Sequence, residues 1–231
     1  MQIHAIETGN FKLDGGAMFG VIPKIMWNKI YPADENNLVN ISMRCMLVED
    51  GKKKILIDCG LGEKMDPKLL QYYFLNGDDT LFKSLDKVGV KADDITDVVL
   101  THLHFDHCGG CIRTDGSLTF PNATHWVSGS QWESAHAPNR REKSSFFPEN
   151  FDPIEKAGKL KIIESESKVT KNVVLKLFYG HTDGLIVPFI NYNGKHLVYT
   201  GDFIPASAFI ALSFICAYDI YPLSLIHISE P

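Results

Sequence analysis

The stretch Thr101-His102-Leu103-His104-Phe105-Asp106-His107-Cys108-Gly109-Gly110 places three histidines and one aspartate within residues 102–107. The chain has only 9 histidines in 231 residues, so an incidental polar loop is a poor account of this density. Imidazole and carboxylate together form the donor set favoured by Zn²⁺ and similar divalent ions. Val98-Val99-Leu100, just upstream, is a short apolar run rich in β-branched residues and predicts a buried strand. In an extended segment His102 and His104 point to one side. A turn after Phe105 then turns Asp106 and His107 toward a second position, so that one loop serves two neighbouring metals.

Two more chemistry-bearing residues fall at predicted strand tips. Gly180-His181-Thr182-Asp183-Gly184 follows an apolar strand over 173–178, and Thr200-Gly201-Asp202-Phe203 ends one over 196–200. A single His or Asp after a strand is usually a turn residue, but here two share the placement of the histidine loop. Further strands are expected over 43–48, 54–58, 124–128, 161–163 and 186–192. Glu49-Asp50-Gly51-Lys52 makes a hairpin turn between the first two, and Asn193-Gly194 makes a type I′ turn before 196–200. Helices are expected over 66–75, 80–88 and from Ser130 to Ala135. Residues 138–153, polar, bounded by prolines and locally basic, predict a mobile surface loop or lid. Strands at both ends with helices between them fit an α/β or α+β layered domain.

Composition narrows the function classes. With 45% hydrophobic and 22% charged residues the chain is globular. A formal charge of -5 offers no general attraction to nucleic acid or anionic membrane. Residues 206–218 form the longest uncharged apolar run, thirteen residues against the roughly 20 needed to span a bilayer, so a buried segment is expected there. Five cysteines, an odd number, and an N-terminus without a basic and apolar leader predict reduced thiols and a cytoplasmic protein. One domain is expected over 1–222. Residues 223–231 (LSLIHISEP) look like a non-native tail and are set aside.

H-x-H-x-D-H, then G-H-T-x-G, then T-G-D resembles the metallo-β-lactamase superfamily of metal-dependent hydrolases, with motif order and strand context matching from residue 40 to about 222. The resemblance implies a four-layer αβ/βα sandwich, its C-terminal part incomplete here, with the site at one edge. It implies two Zn²⁺ ions: His102, His104 and His181 on the first, Asp106 and His107 on the second, and Asp202 bridging both. Asp58, in LIDCG, matches an aspartate that supports the metal loop from behind. A hydroxide held between two dications would be the nucleophile, since bound water's pKa falls toward roughly 7. Asp106 or Asp202 would handle protons as catalytic residues. The superfamily usually supplies one more histidine to the second metal. This chain offers only His227, in the suspect tail, and it is not assigned.

The segments DGGAMFGVIPKIMW and GDFIPASA resemble the branch containing quorum-quenching N-acyl-homoserine lactonases and related esterases. Met18, Phe19, Val21, Ile22, Ile25, Met26 and Trp27 are expected either to form an apolar lip for an acyl chain or to serve core packing or a dimer contact. Pro205 stands where such lactonases carry a tyrosine. The expected activity is hydrolysis of an ester, a lactone or a related small carbonyl substrate. The alternatives are a phosphodiesterase or nuclease, for which only Arg140, Arg141 and Lys143 suggest a basic track, and a truncated non-catalytic metal-binding protein. A homodimer is possible, and neither nucleic acid nor membrane is expected as a partner. Cys108-Gly109-Gly110-Cys111 has redox spacing but overlaps the metal loop. His4, His125, His136 and His196 lack partners at metal spacing and are expected to be ordinary strand or surface residues.

Overall fold

The computed structural model describes residues 1–211 and 213–224. His227 and most of the suspected tail lie outside the described residues. A six-stranded sheet runs in the order β1 (Gln2–Asp14), β2 (Leu38–Asp50), β3 (Lys53–Ile57), β4 (Asp97–Val99), β5 (Thr124–Ser128), β6 (Leu160–Ile163). The first three strands pair antiparallel, and β3 to β6 are parallel. A second, antiparallel sheet runs β10 (Lys195–Val198), β9 (Leu185–Tyr192), β8 (Val173–Phe178), β7 (Ser167–Lys168). The Asn193-Gly194 turn between β9 and β10 has both φ angles positive, 50° and 74°, as a type I′ turn requires.

The two sheets face each other. Val48, Ile55, Ile57, Val99, Trp126 and Ile163 of the first pack on Val173, Leu175, Ile186 and Ile190 of the second. β4 is buried on both faces because helices cover its other side. These are α4 (Leu81–Lys87), α6 (Gly129–His136) and α7 (Asp152–Lys156), whose Leu81, Leu85, Ala135 and Ile154 join Ile6, Leu47, Leu56, Val98 and Val127 in one core. Thr80 and Ser128 cap α4 and α6, accepting hydrogen bonds from the amides of Lys83 and Gln131, 3.2 Å each. Up to Tyr221, no α-helix follows β6 among the described residues, and β10 is exposed at all its residues. No helix among the described residues is long and apolar enough to cross a membrane.

Three expectations need correction. The helix expected over 66–75 shrinks to α3 (Pro67–Leu70). Beyond it Phe74 turns to a φ of 46° and Asn76 exchanges backbone hydrogen bonds with Asn10 of β1, 2.9 Å each. The loop over 138–153 is packed down: Glu142, Phe146, Asn150 and Phe151 are all buried. Its aromatic side chains outweigh the polar residues that suggested a free lid. The apolar N-terminal segment divides. Met18 and Phe19 of α1 (Gly15–Phe19), Ile22, and Trp27 of α2 (Lys24–Trp27) enter a core with Val39, Phe209 and Phe214, whereas Val21, Ile25 and Met26 are exposed. The apolar stretch 206–218 thus contributes buried residues to this core, without forming a regular long element.

Candidate metal centre

The three chain segments named from the sequence converge. β4 ends into Leu100-Thr101-His102, and after His104 the chain turns into α5 (Phe105–Cys108), which carries Asp106 and His107. His181 follows β8, and Asp202 follows β10 in a single 3₁₀ turn. All lie beyond the carboxyl ends of their strands, the usual edge for ligand sites in α/β sheets.

Two trios of donor atoms form. In one, His102, His104 and His181 each offer an atom within 4.8 Å of the others; in the second, His102, His107 and Asp202 do. His102 therefore stands between the groups, its ring centroid 4.4 Å from that of His104 and 4.0 Å from that of His107. The sequence assigned it to the first group alone. Asp106 belongs to neither trio, but its carboxylate reaches to 3.6 Å from His107 Nε2. The Asp202 carboxylate straddles the site: Oδ1 lies 3.3 Å from His107 Nε2 and Oδ2 3.3 Å from His181 Nε2.

The donors suit a cation. His102 Nε2 is buried with no hydrogen-bond partner among the described residues, a costly state unless something else engages it. Burial, then the neighbouring His107, His104 and His181, push its pKa well down, so the ring is the neutral form that ligates metal. Two nitrogens on one tetrahedral zinc stand roughly 3.3 Å apart for bonds near 2.0–2.1 Å, and His104 Nδ1 lies 3.3 Å from His181 Nε2. Burial lowers the pKa of His104 as well. At His107 burial acts the same way, but the carboxylates of Asp202, Asp106 and Asp58 outweigh it and raise the pKa well above the usual value. Asp202 is held far below the carboxylate range: burial opposes this, and His107 and His181 prevail. The pocket demands positive charge, and a divalent ion would displace protons to supply it.

Three of the four site histidines are held from behind by carboxylates. Asp58 Oδ2 accepts from His107 Nδ1 at 2.9 Å, and Oδ1 accepts from the Thr101 amide at 2.8 Å. Asp58 adopts a φ of 60°, rare for a residue with a Cβ and a form of strain that concentrates at functional sites. Glu142 Oε1 lies 3.3 Å from His104 Nε2, and Asp219 Oδ1 lies 3.1 Å from His181 Nδ1. Asp58 was foreseen in this part; Glu142 and Asp219 were not. Asp219 carried a signal, as the one charge in a long apolar stretch, since a buried charge needs a partner. Glu142 carried none beyond the aromatic residues around it. Of the remaining histidines, His125 is fully buried in β5, His136 pairs with Asp152 at 3.1 Å, and His196 lies on exposed β10.

Gly109 and Gly110 let the segment 59–62 lie against the back of this loop: a Cβ at either would collide with the carbonyl of Leu61 or Cys59. The spacing Cys108-x-x-Cys111 does not make a pair. Cys108 Sγ donates to the Leu103 carbonyl at 3.3 Å, while Cys111 meets Cys59.

The family model described as "Metallo-beta-lactamase superfamily" matches residues 44–226. The chain belongs to the metallo-β-lactamase superfamily. Within this superfamily it is 29% identical to an N-acyl homoserine lactonase from Bacillus cereus over 159 residues, 64% of this chain and 58% of that protein. The match thus spans under three fifths of that curated relative's length. Among solved structures, a probable metal-dependent hydrolase from Staphylococcus aureus superposes with a TM-score of 0.93 at 33% identity, covering 99% of this chain and 82% of that one. AidC, a dizinc quorum-quenching lactonase, shares the fold with a TM-score of 0.77 at 22% identity, covering 98% and 80%.

Proposed function

We propose that this superfamily member is a dinuclear zinc-dependent hydrolase acting on lactones or carboxylic esters. The observation that carries the reading is the Asp202 carboxylate, with one oxygen 3.3 Å from His107 and the other 3.3 Å from His181. His102, His104 and His181 would hold one ion, Asp106 and His107 the other, with Asp202 between them. The ions, once bound, lower the pKa of water toward roughly 7 and polarise a carbonyl oxygen.

The protein's own groups do the rest. Asp58, Glu142 and Asp219 fix the ring orientation of His107, His104 and His181, which leaves their opposite nitrogens directed inward. Asp106, part-exposed at the rim, would take a proton from water and return it to the leaving alkoxide. Tyr73, Phe105 and Phe147 form an aromatic file beside it, with ring centroids 5.1 and 5.9 Å apart, a surface suited to the apolar part of an acyl substrate. Similarity to N-acyl homoserine lactonases supports the same substrate class. A phosphodiester is the less favoured substrate because the formal charge of -5 leaves Arg140, Arg141 and Lys143 as the one basic cluster named for it.

The test is metal analysis of the purified chain together with turnover of an N-acyl-homoserine lactone, an aryl ester and a phosphodiester. Two equivalents of zinc and chelator-sensitive cleavage of a carbonyl substrate are expected, with both metal and turnover lost in His102→Ala. Cleavage of the phosphodiester alone, or metal binding with no turnover of any of the three, would overturn the reading.

A further inference from the structure

Behind the metal loop lies a second group of reactive side chains. Cys59 Sγ and Cys111 Sγ are 3.4 Å apart, although 52 residues separate them in sequence. Both are buried. Next to Cys111 stands His125, fully buried, with neither ring nitrogen engaged by a hydrogen-bond partner among the described residues. Lys64 arches over the same loop, its Nζ donating to the carbonyls of Gly109 and Ile112 at 2.9 and 2.8 Å. None of these groups has a task in hydrolysis.

A cavity of about 340 Å³ opens onto the Cys59 side of the pair. Cys59 lines it, as do Gly110 and Ile112, the neighbours of Cys111, along with Thr8, Leu81 and Arg113. No residue of the two metal trios lines it, so a small molecule entering there meets Cys59, with Cys111 Sγ 3.4 Å beyond, without passing the metal centre. A disulfide needs its sulfurs about 2.05 Å apart, and closing the gap asks for a shift of roughly 1.4 Å between two side chains already in contact.

We propose that Cys59 and Cys111 form an oxidant-sensitive dithiol that a small hydroperoxide, admitted through this cavity, converts to a disulfide. Thiolate sulfur attacks one peroxide oxygen and the O–O bond breaks, leaving a sulfenic acid and, after proton uptake, water. The partner thiol then attacks the sulfenic sulfur, the S–S bond forms, and the hydroxyl leaves with the partner's proton as a second water. Two thiols lose two electrons and two protons, and one peroxide becomes two waters. Cys111 is suited to attack first. Burial alone would raise its pKa, but the hydrogen bond with Cys59 and the adjacent His125 bring it down to about 6. The Cys59 amide donates to the His107 carbonyl at 2.8 Å, so the new bond would form directly behind a metal-loop histidine.

The experiment treats the zinc-loaded 231-residue chain with hydrogen peroxide, then unfolds it and alkylates the free thiols. Three alkylated cysteines in place of five, a cross-linked peptide pair containing Cys59 and Cys111, and return to five with dithiothreitol are the expected result. Cys111→Ser should abolish the cross-link, while Cys216→Ser should keep it. Five free thiols after oxidation, a bond involving Cys45 or Cys108 instead, or stepwise oxidation of a single sulfur without a cross-link would overturn the proposal. Peptide mapping of the unsubstituted chain decides the matter even if the serine variant does not fold.

Discussion

Asp58 holds His107 through a 2.9 Å hydrogen bond to Nδ1 while its other oxygen takes the Thr101 amide. This one carboxylate ties the end of β3 to both ends of the metal loop. Asp58→Asn keeps the shape but sets an amide N–H against the imidazole N–H, which drives His107 toward the other tautomer and puts a proton on Nε2. Zinc affinity should fall about 10–100-fold, as read by chelator competition, with little change in folded content by circular dichroism. Unchanged affinity would remove Asp58 from its supporting role.

Asp219 is expected to matter more than an irregular segment suggests. With the His181 Nδ1 contact at 3.1 Å and both side chains buried, Asp219→Ala frees the ring to rotate. Metal affinity should drop about 10–100-fold, and Asp219→Asn should recover part of that loss by accepting the same hydrogen bond through its carbonyl. Equal losses in the two variants would point to simple packing.

A pH-dependent prediction concerns Asp50, at the end of β2. Its carboxylate accepts from Thr170 Oγ1 at 2.6 Å and from Asn172 Nδ2 at 3.0 Å, across to the segment that leads into β8. The Thr170 hydrogen bond, and then Asn172, against an opposing burial cost, lower its pKa below the usual 3.8. A lowered pKa stabilises the fold above the unfolded-state value and ceases to do so as pH falls through the folded-state value. Asp50→Ala should therefore cost about 1 kcal/mol in urea unfolding at pH 7, and the difference should shrink as the pH drops below 3.8. A gap that persists undiminished in acid would contradict this.

The N-terminal apolar segment supplies a paired stability test. Phe19 stacks on Trp27 with centroids 4.7 Å apart and on Phe209 at 5.0 Å. Trp27→Ala should cost about 3–5 kcal/mol. Val21→Asp, at a fully exposed position, should stay within about 0.5 kcal/mol of the unsubstituted chain. Thermal melts that moved by similar amounts in both variants would show that the segment is not divided as described.

Much of this molecule was legible in its sequence, for identifiable reasons. The strands over 124–128 and 173–178 match β5 and β8 to the residue, because short apolar runs bounded by polar residues leave little choice of period. The convergence of His102, His104, His107, His181 and Asp202 followed from their common position after strands. β1 escaped notice: it is an edge strand, mostly half-buried, and its register shifts between Glu7 and Asn10, which breaks the alternation a strand is read by. The 66–75 stretch has helical spacing, yet pairing of Asn76 with Asn10 overrides it. Glu142, Asp219 and the Cys59–Cys111 contact depend on long-range docking that no local pattern encodes.

The donors come from both sheets: four from the loop after β4 in the first, and two from the tips of β8 and β10 in the second. An ion seated among them would therefore act as a clasp between the halves of the sandwich as well as a reagent. Mass action adds its binding free energy to the docked form alone. Starving the chain of metal would weaken the seam first at this rim and leave the oily interior behind it untouched.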